Sequence, residues 1–287
     1  MSLKPVFIGE NGLRAGWRLV IFTATFLVCQ VIIQRTLAHL SPSLVALEEA
    51  MQKGEFSPQA LIIIETVNLI SVAVAMAVMA RIERRRMSQY GLPRRGAFGK
   101  RFWEGVVWGL AMVTAMVLLQ RAEHVFEFGT GALHGGQLLK LALLWAVATL
   151  LVGFFEELTF RGYLQFTLAS GMGFWPAAVL SSLAFGATHL TDSFYNWPGV
   201  VSAALFGLLF CLVLQRTGNL WMAIGFHAAV DFSETFVFSP PIGDLNTAGH
   251  LLNCRLHGPR WLTGGAVGPE ASLNGLIVFA IVFALFV

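Results

Sequence analysis

Residues 138–158 read LLKLALLWAVATLLVGFFEEL. Lys140 stands near the start of this run, and no other charge appears until Glu156 and Glu157. An apolar block of this length suits a helix crossing a bilayer core, which takes roughly 20 residues at about 1.5 Å each. Two adjacent carboxylates at its far end are costly, at roughly a few kcal/mol or more per ion, and are functional candidates for that reason. The stretch predicts a membrane helix and marks where on it chemistry is to be sought.

The rest of the chain has the same character. Of its 287 residues, 56% are hydrophobic and 12% are charged, and the mean hydropathy is +0.70. Soluble domains carry about 25% charged residues, so too few charges remain here to cover a water-facing surface. Apolar blocks lie at approximately 16–34, 60–80, 103–120, 138–158, 174–191, 199–215, 220–238 and 271–287. Barrel-type alternation is absent, and only helices otherwise satisfy their own backbone groups in lipid. The expected fold is an all-α, polytopic membrane helix bundle with about eight transmembrane helices. It divides into N-terminal helices with a basic loop (1–137), a central core (138–238), and a turn-rich loop with a last helix (239–287).

Charge distribution sets the orientation and excludes one class of partner. Eight of the nineteen basic residues fall between Arg81 and Arg101, in one loop beside a span. Such a cluster contacts anionic headgroups and orients the chain, and its confinement to one loop argues against nucleic-acid binding. Placing both termini in the cytoplasm puts twelve Lys and Arg inside, counting Lys4, Arg14 and Arg18, against five outside. The location implied is an integral position in a membrane. The N-terminus lacks the short apolar core and small-residue cleavage site of a removable signal peptide. Cys29, Cys211 and Cys254 make no disulfide framework. The segment 239–270 is expected outside the membrane or folded back on the bundle.

Three clusters of ionisable residues interrupt the apolar helices. They are Glu156, Glu157 and Arg161; Phe185 with His189; and His227 with Asp231, followed by Glu234. Glu157 and Arg161 share a helix face at i,i+4, acid first, the favourable order for a pair. His227 and Asp231 have the same spacing, so Asp231 is expected to orient or charge-balance the imidazole. Glu65 and Asn68, in the second span, read as a structural hydrogen-bonding pair or as residues reaching an interface.

Depth can be counted from the turns. Glu156 lies sixteen residues before Met172 and His189 seventeen after it, so a hairpin at Gly171–Gly173 brings both to about 24–26 Å from the corner. His227 and Asp231 lie nine to thirteen residues beyond the turn at 216–219, about 14–20 Å in. Glu156 is therefore expected to face His189, with His227 and Asp231 in the same layer.

Written as Glu156-Glu157-x-x-x-Arg161, Phe185-x-x-x-His189 and His227-x-x-x-Asp231, these clusters resemble the motifs of the intramembrane endopeptidases of the CPBP family. That family includes the Ras-converting CAAX prenyl proteases and the bacteriocin-immunity-type proteases. The resemblance covers about residues 138–238. It implies hydrolysis of peptide bonds in membrane-associated peptides or proteins, with Glu156 as the general base assisted by His189. His227 and Asp231 would stabilise the oxyanion, and Glu157, Arg161 and Phe185 would support them. Asp231 departs from the Asn common at its position. An ionised Asp cannot donate to an oxyanion, which leaves His227 as the donor. No cofactor is required. The alternative is a zinc site on Glu156, His189 and His227, although the His-Glu-x-x-His spacing of common zinc proteases is absent. Two other classes fit buried Glu, His and Asp: a non-catalytic immunity or scaffold protein, and a proton-coupled transporter. No repeat halves favour the transporter.

Overall fold

The computed structural model describes residues 8–9, 12–131, 133–191 and 196–287; Lys4, counted above among the basic residues, lies outside them. Each of the eight apolar blocks is helical. Helix α1 spans Ala15–Leu40, and a helix not expected from the sequence, α2 (Pro42–Gln52), follows it. Next come α3 (Pro58–Ile82) and α4 (Lys100–Ala122). Helix α5 (Gly135–Glu156) runs through a widened i→i+5 turn at Glu157–Leu164 into α6 (Gln165–Met172). Gly173 then reverses the chain into α7 (Phe174–Thr188), its left-handed φ of 83° favouring glycine. Helices α8 (Trp197–Thr217) and α9 (Trp221–Phe232), a short α10 (Arg260–Thr263) and α11 (Leu273–Phe286) complete the set.

Among the described residues, five helical stretches are long and apolar enough to cross a membrane: α1, α3, α4, α8 and the continuous α5–α6. The protein is an integral membrane helix bundle. The expectation of about eight full-length spans needs refining, because α7, α9 and α11 have 15, 12 and 14 residues. Two of these change hydrogen-bonding register instead of simply ending. Helix α7 tightens into a 3₁₀ turn at His189–Thr191, and α9 widens into an i→i+5 turn at Ser233–Val237.

Helix α9 occupies the centre. Every residue from Trp221 to Val230 is buried, as expected for a helix apolar on all sides. Lipid supplies no hydrophobic drive between helices, so close packing must hold them. Small residues make that possible: a methyl group at Gly105 or Gly109 of α4 would run into the carbonyls of Met222 or Phe226, and one at Gly225 into that of Phe102. Helix α1 is peripheral, burying only Arg18 and Phe22.

The segment 239–270 folds back onto the bundle. Its Asn246–Thr247 strand pairs in parallel with Glu55–Phe56, and Arg255–Leu256 pairs antiparallel with Phe126–Glu127. The Trp145 indole N–H is shared between the Ala248 and Gly249 carbonyls, both at 3.2 Å. Gln120 donates to the Leu262 carbonyl at 2.6 Å. The segment is thereby tied to α4, α5 and the loop before α3.

Candidate active site

Glu156 is the last residue of α5, and Glu157 opens the widened turn. Such turns are rare and frequent at functional sites, because the extra residue re-aims the side chains around it. Here it leaves Glu157 fully buried while the Glu156 side chain keeps 21% of its exposure. Both reach the same imidazole on the central helix. Glu157 Oε1 accepts from His227 Nδ1 at 2.9 Å, and Glu156 Oε2 lies 3.3 Å from Nε2. Asp231 Oδ2, one turn further along α9, is 3.7 Å from Nε2, and its side chain is 26% exposed.

Behind Glu157 sits Arg161, also buried. Its Nη1 is 3.3 Å from Glu157 Oε1, a charge contact without hydrogen-bond alignment. The guanidinium lies 4.3 Å from the Phe185 ring centroid and 5.3 Å from that of Phe210, and it also contacts Phe160. Desolvated cation–π contacts of this kind are worth about 2 kcal/mol or more. Phe210 also stacks on His227, centroids 5.1 Å apart at 19°. Carboxylate, guanidinium and two aromatic rings therefore clamp one side of the imidazole.

The expected partnership of Glu156 with His189 is corrected by this geometry. The imidazole on Glu156 is that of His227. His189, partly buried, sets its Nδ1 3.0 Å from the Phe185 carbonyl and its ring edge-on to Phe185 at 5.0 Å. The Phe185 ring also meets His227 edge-on, with centroids 6.2 Å apart. Asp231 faces His227 as expected, on the Nε2 side. The orienting bond on Nδ1 comes from Glu157. No group of three or more His, Cys, Asp or Glu arranged to hold a metal ion occurs among the described residues.

Two features escaped the sequence reading. Glu65 is buried, 8% exposed, and lies within electrostatic reach of Glu156, His227 and Asp231. The signal was present: Glu65 is seventeen residues before the end of α3 and Glu156 sixteen before the end of α6, the same count that aligned Glu156 with His189. The other is Tyr163, inside the widened turn, which donates to Glu83 Oε1 at 2.9 Å. Glu83 also faces Arg18 of α1 at 3.5 Å, tying the turn to two other helices.

The comparison with protein families falls on this region. Residues 138–233 match the family model described as type II CAAX prenyl endopeptidase Rce1-like. The chain carries an Rce1-like domain. No curated protein matches the chain significantly. The matched residues of the Rce1-like domain include Glu156, Glu157, Arg161, Phe185, His189, His227 and Asp231, every one of the expected site residues. The match supports a CAAX-type intramembrane protease kind of function. Together with the apolar helices it implies a membrane-associated substrate and a lipid surround.

Proposed function

We propose that the protein is an intramembrane endopeptidase in which Glu156 activates water and His227 stabilises the oxyanion, with a core spanning residues 138–238. The observation that carries this reading is the convergence of Glu156, Glu157 and Asp231 on one imidazole, with only Glu156 and Asp231 partly exposed. Glu156 takes a proton from water as the oxygen attacks the peptide carbonyl carbon. His227 keeps Nδ1–H on Glu157 and, with a second proton on Nε2, donates to the new oxyanion. Donors of this kind contribute about 2.7–4 kcal/mol to the transition state. When the C–N bond breaks, the amine takes up a proton, and water has been added across the peptide bond. His189, whose ring meets Phe185, assists the base, and Glu157 with Arg161 maintains the frame.

The substrate is a membrane-associated peptide or protein, and no cofactor is needed. Both termini lie in the cytoplasm of a prokaryotic cell, as the basic loop at 81–102 supports. The test is cleavage of quenched peptides, with and without a prenylated C-terminal tail, by protein purified in detergent. Wild type is expected to cleave and Glu156→Ala to be inactive, with no loss on chelation. Equal cleavage by Glu156→Ala would contradict the assignment, and loss on chelation restored by zinc would contradict the metal-free mechanism.

A further inference from the structure

Glu65 stands in the site without a role in the scheme above. It reaches the centre from α3, which packs directly on α5. Its Oε1 accepts from Asn68 Nδ2 at 3.2 Å, and the Asn68 carbonyl accepts from Gln30 Nε2 of α1 at 2.6 Å. Two neutral amides thus hold Glu65 in place from behind. Its other oxygen, Oε2, is buried with no hydrogen-bond partner. Glu156 stands against His227, and Glu157 against His227 and Arg161. The hydrogen-bond partner of Glu65 is uncharged, and its electrostatic neighbours are Asp231, His227 and Glu156. A buried carboxyl oxygen needs a partner, and the orphan atom here belongs to a side chain anchored beside the reacting groups.

Peptide hydrolysis has an unfilled task. An amide nitrogen leaves only when protonated, and a base that has just taken the water's proton sits on the attack side of the carbonyl. We propose that Glu65 is a further catalytic residue, the general acid that protonates the leaving amine through Oε2. This rests on the protease reading above. In the step, the C–N bond of the tetrahedral intermediate breaks, its electron pair forms the N–H bond, and the proton comes from the Glu65 carboxyl, which becomes a carboxylate. Glu156 holds the proton taken from water, and its return to Glu65 through solvent after product release closes the cycle with one water consumed. Asn68, donating to Oε1, keeps Oε2 as the proton-carrying oxygen.

The experiment compares an amide with an aryl ester of the same peptide sequence, because a phenolate leaves without a proton. Wild type, Glu65→Gln and Glu156→Gln are assayed on both, with thermal unfolding of each in detergent. Glu65→Gln retains the acceptor for Asn68 and the side-chain volume. It is expected to lose amide turnover by about 100-fold or more while ester turnover stays within about threefold of wild type. Glu156→Gln is expected to lose both. Parallel loss of both activities in folded Glu65→Gln, or loss of neither, would overturn the assignment. Wild-type protein that cleaves neither substrate contradicts the protease reading itself, a distinct outcome. Should Glu65→Gln fail to fold, Glu65→Asp against Glu65→Asn gives the same comparison: the acid is expected to retain the higher amide-to-ester ratio, and equal ratios would sink the proposal.

Discussion

The two sides of the His227 ring are built differently. At Nδ1 stands Glu157 with Arg161 behind it, while Phe210 stacks on the ring and Phe185 meets it edge-on, and all four are buried. On the Nε2 side stand Glu156 and Asp231, with a fifth to a quarter of each side chain exposed. The two glutamates are neighbours in sequence and share one imidazole, yet one is sealed in and the other is reachable. Local composition does not explain that. The widened turn that begins at Glu157 does, because it alters the rotation between successive side chains. A closed half that holds geometry and an open half that meets water is what a preorganised hydrolytic site requires.

If the Nδ1 side is the frame, breaking it should cost stability before it costs chemistry. Arg161→Ala removes the guanidinium beside the buried Glu157 carboxylate, and removing one partner of a buried pair costs about 3–5 kcal/mol. We expect a large fall in the unfolding midpoint in detergent. A variant as stable as wild type would break the distinction between the two sides. Tyr163→Phe tests the same half from further out. It removes a hydrogen bond to the Glu83 carboxylate, which is worth about 1.5–3 kcal/mol, and denaturant titration should register that loss.

The open half should respond in the opposite way. Asp231→Asn retains the shape of a side chain 3.7 Å from Nε2 and replaces an acceptor with a group that can also donate. Turnover is expected to change by no more than about tenfold, with unfolding unaffected. Gln30→Ala, at the end of the chain of amides leading to Glu65, should have the smallest effect. Interhelical hydrogen bonds in membranes average about 0.6 kcal/mol, so the unfolding midpoint should fall slightly, with turnover nearly unchanged. A large loss of activity there would mean that the α1–α3 contact does more than anchor Glu65.

The contrast also shows what could be read from the residues alone. The all-α membrane bundle was legible because a low charge fraction and long apolar blocks leave no other fold available in lipid. The site's members were legible because ionisable groups in such blocks are costly. Their partners were not. Counting from a turn measures depth along straight helices but not rotation about their axes. The widened turn at Glu157–Leu164 and the tightened one at His189–Thr191 both change rotation. Glu156 therefore meets His227, and the His189 ring packs edge-on to Phe185. The i,i+4 spacing does bring Asp231 to His227, but Glu157 approaches from another helix and is closer. The pairing of Glu65 with Asn68 was legible from their spacing, but its place beside Glu156 shows only in the count from the far end of α3. The fold-back of 239–270 depends on two-residue strand pairings too short to leave a pattern.

The most direct test of the division is one paired measurement: turnover and unfolding midpoint for Glu156→Gln and Glu157→Gln, purified alike and assayed side by side. The account predicts that Glu156→Gln keeps the wild-type midpoint and loses turnover by about 100-fold or more, whereas Glu157→Gln loses stability outright. Wild-type turnover in Glu156→Gln, or a Glu157→Gln protein as stable as its parent, would contradict it.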